Sequence, residues 1–87
     1  MRQSQTTLFS APEVITDGSY SVASDIWALG ATLFALANGR LPFKNKTEIL
    51  TKGLKWRYNI HGHFDPNFIK IVTEMLNKDA AQRPSLK

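Results

Sequence analysis

The sequence predicts one small, mainly α domain, and three observations carry that expectation. The apolar-rich run from Ile26 to Ala37 lies between Ser21, a good N-cap residue, and Gly39, where a left-handed C-terminal cap is expected. Asp65-Pro66 sets an N-cap acid directly before a proline suited to the first helical position. Asn45 is followed three residues later by Glu48, the spacing of a capping box.

The elements follow in order. Residues 1–10 are polar and lack periodicity, so they read as a loop or extended segment. Pro12-Glu13 and the apolar pair Val14-Ile15 come next, then the turn signal Asp17-Gly18-Ser19. A helix is expected over about 22–38. It is apolar on every side (Ile26, Trp27, Leu29, Leu33, Phe34, Leu36, with alanines between), which marks a buried helix and the hub of something larger. Arg40-Leu41-Pro42-Phe43 is a stiff connector, because Pro42 fixes its own φ and restricts Leu41. A shorter helix is expected over about 46–53, ending at Gly53. Residues 54–64 show no period. A last helix is expected over about 66–77, with Phe68, Ile71, Val72, Met75 and Leu76 forming one apolar stripe and Lys78 near its end suiting the macrodipole. Arg83-Pro84-Ser85 breaks the chain, and Ser85 is placed to cap a further helix.

Composition narrows the function. The chain has 87 residues, 43% of them hydrophobic, and no cysteine. A domain of this size buries only roughly 60–65% of its unfolded surface, and neither a disulfide nor a Cys-ligated zinc makes up the shortfall. The longest apolar run is too short for a bilayer and residues 1–7 contain no apolar h-region, so no membrane association is expected and the location expected is intracellular, in the cytoplasm. The net charge is +4, and the cations gather at Lys44, Lys46, Lys52, Lys55 and Arg57. That leaves a basic nucleic-acid-binding domain as a remote alternative. A solvated helix face with its loop is the plainer reading, since Trp56 and Tyr58 alone do not make a stacking platform. His61 and His63 have no third ligand nearby and read as loop residues, so no metal site is expected.

Three motifs occur in one order: Ala11-Pro12-Glu13, then Ser24-Asp25-Ile26-Trp27-Ala28-Leu29-Gly30, then Gln82-Arg83-Pro84-Ser85. With these, nearly the whole chain resembles the eukaryotic protein kinase catalytic domain, from the end of the activation segment onward. The Leu41-Pro42-Phe43 connector is of Ser/Thr type, similar to NEK-like or calmodulin-kinase-like branches. The resemblance implies an incomplete helical C-lobe: helices F, G and H and the start of helix I, on a partial domain spanning 1–87. It implies that Glu13 and Arg83 form a structural ion pair tying the activation segment to the body. It implies that Asp25 anchors helix F by accepting hydrogen bonds from a catalytic loop, with Trp27 and Gly30 as packing positions. Thr6, Thr7, Leu8 and Phe9 would form the loop that receives the substrate residue after the phosphoacceptor, although Gln5 stands where glycine is usual and Thr7 where proline is common.

Phosphoryl transfer in this family needs a glycine-rich loop, a strand lysine paired with a helix glutamate, an H-R-D loop and D-F-G. None occurs in these residues: Asp17-Gly18 follows the A-P-E, and His61-Gly62-His63 is not H-R-D. The expectation is therefore a truncated Ser/Thr kinase domain with no catalytic, cofactor or metal residues of its own, whose full-length relatives use ATP and Mg²⁺. The alternative is a docking or decoy module that holds protein substrates or regulators through helix G and residues 6–9. Removal of the rest of a lobe also predicts an exposed apolar patch and either self-association or a molten state.

Overall fold

The computed structural model describes residues 8–56 and 65–85. Helix α1 is Pro12–Asp17, α2 is Val22–Asn38, α3 is Lys46–Thr51 and α4 is Pro66–Met75, followed by a 3-10 turn at Ala80–Gln82. No strand occurs among the described residues.

Helix α2 begins where its sequence asks it to. The Ser21 hydroxyl accepts the Ala23 N–H, and Ser24 Oγ accepts the Ser21 N–H in return. It ends at Gly39, whose φ of 75° is left-handed and whose N–H reaches Ala35 O at 2.8 Å. A side chain there would meet the Cβ penalty of that region. Helix α4 starts on Asp65, which accepts the Asn67 N–H at 2.8 Å, with Pro66 at the first position. Helix α3 starts on Asn45, whose Oδ1 accepts the Glu48 N–H. Glu48 does not close the box on Asn45: its carboxylate takes the Lys44 N–H instead, one residue earlier, at 2.9 Å.

The boundaries correct the expectations in three places. Helix α3 stops at Thr51 rather than Gly53, because Lys52 leaves the helical region at φ −98°, ψ 149°. Helix α4 stops at Met75 rather than 77, since Leu76 turns to φ −100°, ψ 26°. Helix α1 has no counterpart in the sequence reading. Ala11 offers no side-chain cap, and the six residues are too few for a period; Pro12 at the first turn and Gly18 behind it bound the helix. The 3-10 turn, capped by Asp79 on the Ala81 N–H, occupies the chain before Arg83. A helix opened by Ser85 would fall on residues outside those described.

Helix α2 packs along α4. Trp27, Ala31 and Phe34 of α2 meet Val72 and Leu76 of α4, while Phe43 and Ile49 close the side and Ala11 the top. Trp56, in a stretch without a period, joins them: its ring lies 4.9 Å from Phe34 and 6.3 Å from Phe68. Helix α2 is not covered all round. Val22, Leu29 and Leu36, seven apart, stay exposed as one stripe, and Ile71 of the α4 stripe is half exposed.

Gly30 sets the spacing of the two long helices. A Cβ there would sit 2.8 Å from Met75 Cβ and 3.2 Å from Leu76 Cγ. Met75 Cβ is fixed to the α4 backbone, so only a helix shift relieves the contact. Gly30→Ala is expected to lower the unfolding free energy by about 1–2 kcal/mol, the cost of overpacking outweighing the gain in helix propensity. Urea denaturation checks this, and an unchanged or raised midpoint would show that α4 moves aside freely.

Candidate functional site

The polar centre of the structure joins residues 70 positions apart. Glu13 sits in the first turn of α1, where the helix dipole suits a carboxylate, and Arg83 follows the 3-10 turn. Their contact is a two-pronged fork: Nη1 to Oε2 and Nη2 to Oε1, both at 2.8 Å. The Arg83 side chain is fully buried and that of Glu13 20% exposed. The remaining guanidinium donors are also used: Nε reaches Asn77 O at 2.7 Å and Nη1 reaches Ala23 O at 2.8 Å. Ser24 Oγ donates to Glu13 Oε2 at 2.9 Å. The Arg83 hydrogen bonds hold the Glu13 pKa at about 2, against 4.5 ordinarily, with Ser24 adding to the shift and burial opposing it.

Trp27 forms the floor beneath this pair. It is fully buried, stacks on Phe43 with centroids 5.9 Å apart and planes 15° apart, and carries the Arg83 guanidinium 5.1 Å from its ring. Its Nε1 has no hydrogen-bond partner among the described residues. Lys78 Nζ lies 4.2 Å from the Phe43 centroid and 5.6 Å from that of Trp27. Lys78 is not serving the end of α4. It donates to Ile49 O of α3 at 2.7 Å, and burial lowers its pKa. Lys78 thus lies beside both rings of the Trp27–Phe43 stack and Arg83 against Trp27, and together they tie the segment after α4 to α3 and α1.

Asp25 is placed apart from this centre. It is exposed on the first turn of α2, and its carboxylate accepts the Tyr20 hydroxyl. That hydrogen bond, which holds the phenol proton, is the main cause that raises the Tyr20 pKa. Gly30 lies one turn beyond Trp27, against α4. Leu8 is half buried against the core, and Phe9 is 38% exposed beside a cavity of about 190 Å³ bordered by Val14, Tyr20 and Ser24. Thr6 and Thr7 lie outside the described residues, as do Arg57, Tyr58, His61 and His63. Among the described residues no three His, Cys, Asp or Glu side chains cluster to hold a metal, and no helix is long and apolar enough to cross a membrane.

Sequence reasoning missed three members of the site. Ser24 was visible only as part of a motif, although its position three residues after an N-cap serine was a signal for the hydrogen bond to Ser21. Tyr20 gave no local signal and Lys78 only that of a helix end, since their partners are set by the tertiary fold.

A model of the protein kinase domain family matches residues 1–87. The chain belongs to that family. Human SNF-related serine/threonine-protein kinase is 37% identical over 82 residues, covering 91% of this chain and 11% of the relative. The 3-phosphoinositide-dependent protein kinase B of Dictyostelium discoideum is 32% identical over 83 residues, covering 93% and 9%. The mouse inactive serine/threonine-protein kinase PLK5 is 34% identical over 80 residues, covering 90% and 13%. The chain therefore spans about a tenth of the length of these relatives. The mainly helical kinase segment agrees with the incomplete C-lobe that the resemblance implied.

Proposed function

We propose that these residues form the substrate-side part of a Ser/Thr protein kinase lower lobe and transfer no phosphate by themselves. The observation that supports this most directly is the buried fork between Glu13 of the A-P-E motif and Arg83, which ties α1 and the preceding loop to the helical body. A loop that must present a protein substrate needs such a tether, because positioning supplies much of phosphoryl-transfer catalysis. ATP and Mg²⁺ belong to the whole kinase, on residues that this sequence does not supply.

Two assays test the reading. With radiolabelled ATP and a protein substrate, the chain alone is expected to give background incorporation, and genuine turnover would overturn its non-catalytic part. A chimera in which the chain replaces the matching segment of human SNF-related kinase is expected to phosphorylate serine or threonine. A folded chimera that binds ATP but transfers nothing would sink the kinase part.

A second reading, a non-catalytic docking module, has one observation in its favour. A groove of about 470 Å³ opens beside Leu8 and α3. Since a relative named inactive carries a similar segment, the segment itself does not require catalysis to accompany it.

A further inference from the structure

The groove beside Leu8 has a charge pattern that selects its occupant. Its apolar floor comes from Leu8, Leu41 and Phe43. Its walls carry Arg40, Lys44, Lys52 and Lys55, against one carboxylate, Glu48, so four cations and one anion leave a formal +3. Among the described residues none of these cations is in an ion pair; Glu13–Arg83 is the ion pair found there. The Glu48 carboxylate is engaged by the Lys44 backbone N–H. Arg40 is held in place without being neutralised: Nη2 donates to Lys55 O at 2.9 Å, and the guanidinium lies 5.8 Å from the Phe34 centroid. A carbonyl and a ring fix a guanidinium but leave its charge available.

We propose that this groove binds a protein segment carrying Asp or Glu side chains, so that the chain's docking preference is for acidic peptides. The proposal rests on the kinase reading for the kind of occupant, a protein chain, and on the groove itself for the charge. Nucleic acid fits the same charge less well. Binding of single strands relies on exposed aromatic rings, yet Phe43 is 2% exposed and Trp56 is packed between Phe34 and Phe68. A peptide needs only the apolar floor for the methylene stems of its side chains and the cations for its carboxylates. Because the cations are at the surface, the attraction is salt-sensitive, with a screening length of about 10 Å at 0.1 M.

Fluorescence anisotropy on the 87-residue chain tests the proposal with three probes: a labelled Glu-rich peptide, its Gln counterpart and a single-stranded oligonucleotide. The Glu peptide is expected to bind at least about tenfold tighter than the Gln peptide, and the double variant Lys52→Glu/Lys55→Glu to lose about that factor. Glu48→Gln is expected to bind the Glu peptide about twofold tighter, a gain that misfolding does not imitate. Equal affinity for the two peptides, absence of binding, or tighter binding of the oligonucleotide would each overturn the proposal. Failure here with an active chimera removes only the acidic preference, whereas an inactive chimera with intact acidic binding removes only the kinase reading.

Discussion

Glu13→Gln is expected to lower the unfolding free energy by about 3 kcal/mol at neutral pH. The substitution keeps the side-chain shape and one acceptor for Ser24 Oγ but leaves the fully buried Arg83 guanidinium without a counter-charge. Removing one partner of a buried pair costs on the order of 3–5 kcal/mol, and the partial exposure of Glu13 argues for the low end. Small domains have only about 5–15 kcal/mol in total, so the loss is a large share. The same pair sets the acid response. The Glu13 pKa falls from 4.5 to about 2 on folding, so its contribution is complete above 4.5 and is lost as pH drops toward 2. At about 1.4 kcal/mol per unit, the shift also corresponds to about 3 kcal/mol. Urea midpoints measured between pH 7 and 2 should fall across that window in the parent chain, and by much less in Glu13→Gln. Parallel curves for the two proteins would show that another group governs the acid loss.

Trp27→Ala should cost about 3–5 kcal/mol, the range for deleting a large buried aromatic side chain. The indole is fully buried, and its loss removes the surface against which Phe43, Arg83 and Lys78 are arranged. Trp27→Phe separates packing from polarity. Nε1 has no hydrogen-bond partner among the described residues, so phenylalanine gives up ring volume but no such bond. Its cost is expected to be at least about 2 kcal/mol below that of alanine. Chemical denaturation of both variants decides it. Equal losses would mean that the indole N–H matters as much as the ring.

What the sequence disclosed and what it concealed divide along physical lines. Helices α2 and α4 were legible because their ends are written locally, in Ser21, Gly39 and Asp65-Pro66. Helix α1 was not, since it is shorter than any readable period and its start at Ala11 lacks a side-chain cap. The overhang of α3 and α4 by two residues each reflects backbone turns at Lys52 and Leu76 that no residue type announces. At the site, the pairing of Glu13 with Arg83 came from resemblance to a family, because no periodicity links residues 70 apart. Trp56 entered the core from a segment without pattern, and Lys78 left the helix end assumed for it. Both are placed by neighbours distant in sequence, Phe34 in one case and Ile49 in the other.

The span of the Glu13–Arg83 contact also fixes an order of assembly. Contacts within α2 or α4 close over a few residues, whereas this fork closes a loop of 70, whose entropy must be met before the bond gives anything back. On a ribosome Arg83 is made 70 residues after Glu13, so α1 waits, unsecured, while the intervening residues are synthesised. The fork is thus a latch that closes only after the helices between its two halves exist, and a chain cut short before Arg83 would leave the Ala11-Pro12-Glu13 corner undone while α2 and α4 still met.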